Sequence, residues 1–162
     1  MTQPDGKLRA TPDEAGAPHE VLELEHFLPY RLSVVSNHIS QTIANAYAER
    51  FGISITEWRV LAVLGRYPEL SANGVAERTA MDKVAVSRAV ARLLKTGMIE
   101  RETHDSDRRR SVLRLSTAGY RIYDQVAPMA LDYERRLLAG FSDAERATLA
   151  RLIDRLDEAS RP

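Results

Sequence analysis

The chain has 162 residues, with 23 Lys+Arg against 23 Asp+Glu and so a formal net charge of zero. A hydrophobic fraction of 44 % beside 28 % charged residues predicts one globular domain with a core of its own and argues against wholesale disorder. The absence of cysteine excludes disulfides, thiolate metal sites and thiol redox sensing, and the four histidines show no paired ligand spacing, so no metal and no cofactor are expected.

Residues 1–20 are rich in Pro, Gly, Ala and acids and are expected to form a mobile arm. They hold no apolar signal-peptide core, and no later run reaches the ~20 apolar residues that span a bilayer, which predicts a cytoplasmic protein without a membrane partner. A long helix is expected from about Leu24 to Phe51. Leu32, Val35, Ile39 and Ile43 recur there at helical spacing, Pro29 is tolerable only near the first turn, and Gly52 ends the run.

Ser54-Ile55-Thr56-Glu57 has the form of a capping box and opens a helix carrying Trp58, Leu61, Ala62 and Leu64, which Gly65 to Pro68 should break. Ser71 caps a short helix to about Arg78, and after a tight turn another helix runs from about Asp82 to Thr96, where Gly97 stops it. Met98–Glu102 and Ser111–Leu115 have the character of two strands of a hairpin with His104 to Arg110 at its tip. Ser116 should cap a helix to about Leu138, its stripe formed by Ile122, Val126, Met129, Ala130, Tyr133 and Leu137, with a bend at Pro128. Ser142-Asp143-Ala144-Glu145 is a second capping box, ahead of a last helix with Leu149, Leu152, Ile153 and Leu156 on one face.

A neutral chain is an unpromising nucleic-acid binder until the distribution of charge is considered. Ten cations against five anions lie between Asp82 and Arg121, while the first 26 residues hold two cations and six anions. On a helical wheel Val86, Ala89, Val90 and Leu93 share one side, and Arg88, Arg92 and Lys95 cluster opposite, with no acid from Lys83 to Lys95. Such a face is often merely solvated. Here the apolar side would pack on the preceding short helix and leave the cations free for DNA, with the small residues Ala85 and Ser87 beside Val84 near the helix start letting the backbone approach base edges. Asp107-Arg108-Arg109-Arg110 at the hairpin tip is a costly like-charge cluster unless a polyanion or a local acid compensates. Arginine gains in a narrow, A·T-rich minor groove, and Asp107 could orient one guanidinium. Helix-turn-helix followed by a cationic hairpin is a winged DNA-reading unit.

Val75-Ala76-Glu77-Arg78, Val86-Ser87-Arg88, Leu93-Leu94, Gly97-Met98-Ile99-Glu100-Arg101, Asp107-Arg108-Arg109, Leu115-Ser116 and Gly119 together resemble the MarR family of bacterial transcription regulators, over roughly residues 27–158. The pattern departs from the family at His104-Asp105, where Asp-Pro is usual, and at Ala80, where glycine is common. The resemblance implies a mainly α fold with a small β-wing (α+β), in which N- and C-terminal dimerisation helices flank a winged helix-turn-helix. It also implies a homodimer that reads a palindromic double-stranded DNA operator. By that resemblance Arg109 is the wing arginine in the minor groove and Asp107 its orienting partner, while Ser87 and Arg88 sit on the recognition helix. Lys83, Val84, Ala85, Arg92, Arg108 and Arg110 complete the expected DNA-binding set. The expected domains are the arm (1–20), dimerisation helices (21–53 and 117–162) and the DNA-binding unit (54–116).

A helix of over twenty residues after the wing would extend about 35 Å, too long for a small winged domain to cover, which predicts a second copy against it. The resemblance further implies a small effector, often phenolic, between the dimerisation helices and the winged unit. Tyr30, Arg31, Ser36, His38, Trp58 and Tyr123 are the candidate contacts, although Trp58 and Tyr123 also fit a plain core role. Flat aromatics with one arginine and one histidine suit an aromatic acid or its CoA thioester. LPYRLSVVSN resembles a branch of the family linked to aromatic-acid catabolism. A ligand-responsive repressor is the expected function. The alternatives are an activator without effector release and an adaptor that keeps the winged fold without reading DNA. No nucleophile–base spacing, phosphate-cradling glycine loop or metal motif points to an enzyme.

Overall fold

The structure, a computed structural model, describes residues 21–79, 81–103 and 111–161; the predicted arm, Ala80 and the predicted hairpin tip lie outside the described residues. The elements in chain order are α1 (Leu28–Phe51), α2 (Ile55–Arg66), α3 (Ala72–Thr79), α4 (Lys83–Lys95), β1 (Ile99–Thr103), β2 (Ser111–Leu115), α5 (Thr117–Leu137) and α6 (Asp143–Ser160). The fold is mainly α with one small antiparallel sheet. The described residues divide into two compact units, the first ending at Ser36 and the second beginning at Asn37.

In the first unit the Glu23 carbonyl accepts from the His26 and Phe27 amides and closes a separate turn. Helix α1 then begins at Leu28, four residues later than the sequence pattern implied. Pro29 explains the delay: it has no N–H to continue a ladder from upstream, and its fixed φ suits a first turn. Apart from Val34, the residues from Val21 to Ser36 are exposed.

In the second unit the buried side chains come from α2 (Val60, Leu61, Leu64), α3 (Val75, Ala76), α4 (Val86, Ala89, Val90, Leu93), the sheet (Ile99, Leu113, Leu115), Val126 of α5, and Ala44 and Tyr47 of α1, with Ile53 between α1 and α2. Both predicted capping boxes form. The Ser54 hydroxyl accepts from the Glu57 amide at 3.2 Å while the Glu57 carboxylate accepts from the Ser54 amide at 2.7 Å, and Ser142 and Glu145 repeat the exchange at the start of α6. Backbone donation from Ser142 holds the Glu145 carboxyl below its ordinary value.

Helix α2 ends at Arg66, inside the Gly65 to Pro68 stretch that the sequence marks as its break. Gly65 is there for packing: a Cβ at this position would collide with the Tyr123 ring of α5. At the end of α4, Gly97 takes φ +70°, its amide bonds the Leu94 carbonyl at 3.1 Å, and the Met98 amide bonds the Leu93 carbonyl at 2.9 Å. This is a Schellman closure, which wants glycine at its left-handed position.

The strands pair Ile99 with Leu115 through to Thr103 with Ser111, so β1 starts one residue later than expected. Leu70, in the α2–α3 connection, adds a single rung when its carbonyl accepts from the Leu113 amide at 2.7 Å. Ser116 ties the sheet to α5. Its amide donates to the Met98 carbonyl (3.1 Å), its hydroxyl donates to the Gly97 carbonyl (2.6 Å), and that hydroxyl accepts from the Gly119 amide (3.0 Å). A Cβ on Gly119 would collide with the Met98 carbonyl oxygen, so glycine lets the first turn of α5 sit directly on the strand entry. Helix α5 runs through Pro128 without interruption.

Candidate nucleic-acid interface

Helix α4 presents the division its sequence predicts. Val86, Ala89, Val90 and Leu93 are buried against α2 and α3, while Lys83, Val84, Ser87, Arg88, Arg92 and Lys95 are exposed and Ala85 is half-buried. Asp82 caps the helix, its carboxylate accepting from the Val84 (2.9 Å) and Ala85 (3.1 Å) amides. The capping carboxylate therefore sits at the positive end of the helix dipole, close to Ala85.

Arg92 differs from the other cations of this face. Its Nε lies 2.9 Å from the buried Glu57 carboxylate, and its Nη2 donates to the Gly52 carbonyl at 3.4 Å. The cation predicted to be free is thus held by α2, although most of its side chain remains in solvent. Arg88 and Arg92, one turn apart, line an open notch of about 300 Å³ with Ala85, Ala89, Ser54, Thr56 and Glu57.

The wing is described only at its root. Asp107, Arg108, Arg109 and Arg110 lie outside the described residues, between the paired positions Thr103 and Ser111. Arg114 on the outer side of β2 is neutralised by Glu102 at 2.9 Å and Glu100 at 3.4 Å.

Of the six effector candidates, Trp58 and Tyr123 are brought together, with ring centroids 6.0 Å apart. The Tyr47 ring lies 5.8 Å from the other side chain of this set, Trp58, so three aromatics from α1, α2 and α5 form a chain of contacts. A cavity of about 180 Å³ beside them is lined by Ser40, Ile43, Tyr47, Ile55, Trp58 and Arg59, and Arg59 donates to the Ser40 hydroxyl at 3.0 Å. Burial pushes the Tyr47 hydroxyl up to about 12, against a weaker opposing pull from Arg59. His38 is exposed on α1 with its carbonyl accepting from Thr42, and Tyr30, Arg31 and Ser36 are exposed α1 positions of the first unit.

Tyr47, Arg59 and Ser40 were missed from sequence. Tyr47 continues the Ile39–Ile43 spacing by one further turn and was within reach of the same periodicity. Arg59 and Ser40 carry no local signal, because their pairing joins two helices.

Among the described residues no helix is long and apolar enough to cross a membrane, and no cluster of ligating side chains fits a metal ion.

The MarR family model matches residues 51–110. The HTH-type transcriptional regulator BilQ of Clostridium symbiosum is 25 % identical over 108 residues, covering 67 % of this chain and 75 % of that protein. A putative transcriptional regulatory protein for the hcr operon of Thauera aromatica is 30 % identical over 105 residues, covering 65 % of this chain and 63 % of that protein. Among solved structures, a MarR/EmrR family transcriptional regulator from Acinetobacter sp. ADP1 superposes with a TM-score of 0.79 at 28 % identity, over 85 % of this chain and 97 % of that one. Helix order, recognition-helix chemistry, paired wing strands and these matches agree: the chain belongs to the MarR family of winged helix-turn-helix, DNA-binding transcriptional regulators.

Proposed function

We propose that this regulator is a repressor that binds a pseudo-palindromic operator as a homodimer and is released by a small aromatic acid. The observation that carries the DNA half is α4, which buries its apolar side and exposes Lys83, Arg88, Arg92 and Lys95 with no acid among them. In this reading α4 enters the major groove with Val84, Ala85, Ser87 and Arg88 at the bases. Arg108, Arg109 and Arg110 flank it in the minor groove, and Asp107 orients Arg109.

Support for the dimer comes from α6, where Leu149, Leu152, Ile153 and Leu156 are all at least 40 % exposed on one face. Such a face is stable in water chiefly against a partner, and a second copy would set two recognition helices about 34 Å apart to meet successive major grooves.

For the effector, the cavity beside Trp58 supplies a flat apolar wall, the Arg59 guanidinium and the Ser40 hydroxyl, a set that suits the ring and carboxylate of one aromatic acid. The bulk of a CoA thioester would lie outside a cavity of about 180 Å³.

The deciding experiment is gel-shift and anisotropy titration with a duplex selected from a random-sequence pool. Arg88→Ala should cost about 1–3 kcal/mol against that duplex, and Arg109→Ala should weaken binding most where the flanks are A·T-rich. Unchanged affinity and preference in both variants would overturn the assignment. A thermal-shift screen of aromatic acids and their CoA esters tests the effector; a ligand that stabilises the protein and leaves DNA affinity untouched would count against release.

A further inference from the structure

We infer that Glu57 is a positioning residue for DNA binding: from inside α2 it holds Arg92 of α4 in the orientation that meets a backbone phosphate. The inference rests on the DNA reading above and concerns how one contact is made.

Glu57 is buried, yet it is not spent on its capping duty alone. One carboxylate oxygen accepts from the Ser54 amide at 2.7 Å, and the other faces Arg92 Nε at 2.9 Å. Arg92 is also held through Nη2 by the Gly52 carbonyl at 3.4 Å. A long side chain on an exposed helix face ordinarily samples many rotamers, and ordering it at a contact costs roughly 2 kcal/mol. Here two of its nitrogens are engaged before any ligand arrives, and the side chain still keeps 63 % of its surface in solvent. The exposed part lines the notch that Arg88 shares. What Glu57 loses the protein in net attraction for a polyanion it returns as geometry.

The cap and the ion pair can be separated. Glutamine at position 57 still accepts from the Ser54 amide, because a capping box takes Glu or Gln, but it no longer carries the charge that fixes Arg92. Three proteins, Glu57→Gln, Arg92→Ala and the double variant, should be measured against the selected duplex and against a mixed-sequence duplex of the same length, over a series of salt concentrations. Circular dichroism and melting temperature provide the check on folding.

Arg92→Ala should weaken binding and lower the slope of log K against log salt by about 0.9, the signature of one phosphate contact. Glu57→Gln should weaken both duplexes, the selected one about tenfold, and add nothing in the Arg92→Ala background. A tenfold loss that persists without Arg92 would show Glu57 acting through the helix alone and overturn the inference. So would a Glu57→Gln variant that folds and binds as the parent does. Failure of the parent protein to bind any duplex would instead strike the DNA reading itself.

Discussion

Tyr47 is buried near one arginine, Arg59, and burial outweighs the arginine. Its folded value, about 12, stands above the ordinary 10.0, so the protonated phenol favours the folded state. That contribution is complete below pH 10 and is lost as pH rises from 10 through about 12. In an absorbance titration of the phenolates, one of the six tyrosines should ionise late, together with loss of helical circular dichroism, and Tyr47→Phe should remove that late step. Simultaneous ionisation of every tyrosine in folded protein would contradict the assigned burial.

Gly65 makes the opposite point. Alanine is the better helix former by about 1 kcal/mol, yet Gly65→Ala drives a methyl into the Tyr123 ring, and overpacking of this kind costs about 1–3 kcal/mol. The clash should win, giving a lower melting temperature and a disturbed Trp58 fluorescence, since Tyr123 stacks on Trp58. The helix does end within Gly65 to Pro68, as the sequence pattern implies. The packing role of Gly65 is not legible there, because what fixes it is a ring 58 positions downstream that no local pattern reveals. Glu57 was legible as a cap and invisible as an ion-pair partner for the same reason.

At the scale of elements, local signals were reliable wherever the chain satisfies its own backbone. The boxes at Ser54 and Ser142 and the Gly97 stop involve bonds spanning at most five residues, and all three formed as the sequence predicted. Gly97→Ala should cost about 1 kcal/mol by forcing a side chain into the left-handed region, measured as a shift in the denaturant midpoint without change in slope. A change in slope would indicate that more than the cap had been lost. The α1 start was misplaced because turn hydrogen bonds at Glu23 continue the apolar pattern ahead of Pro29 without belonging to the helix. The single rung from Leu70 to β2 left no trace in sequence, as one residue has no periodicity.

For the whole molecule the telling quantity is the apolar surface a single copy leaves uncovered. Helix α6 buries none of its residues, and Leu131, Leu137 and Phe141 ahead of it are exposed as well. The stripe on this last helix was plain from its spacing, but spacing says only that a face is apolar, not what covers it. Leu152→Asp with Ile153→Asp should shift sedimentation from dimer to monomer and reduce affinity for a two-half-site duplex far more than for a single half-site. Loss of both affinities in equal measure would place Leu152 and Ile153 in the monomer's own stability. Neutral overall charge is no obstacle at this scale, since the excess of cations is concentrated between Asp82 and Arg121.

The junction at Ser116 has a mechanical consequence. The carbonyls of Gly97 and Met98 are both held by this one residue, so the end of α4 and the root of α5 share a pivot. From that pivot α4 extends 13 residues, an arm of about 20 Å at 1.5 Å per residue; a swing of about 10° there moves its far end by roughly 3 Å. Hydrogen bonds to base edges do not survive a displacement of that size. In the proposed DNA complex, a small rotation of α5 carried through this junction, far from any base, would be enough to withdraw the helix tip from its groove.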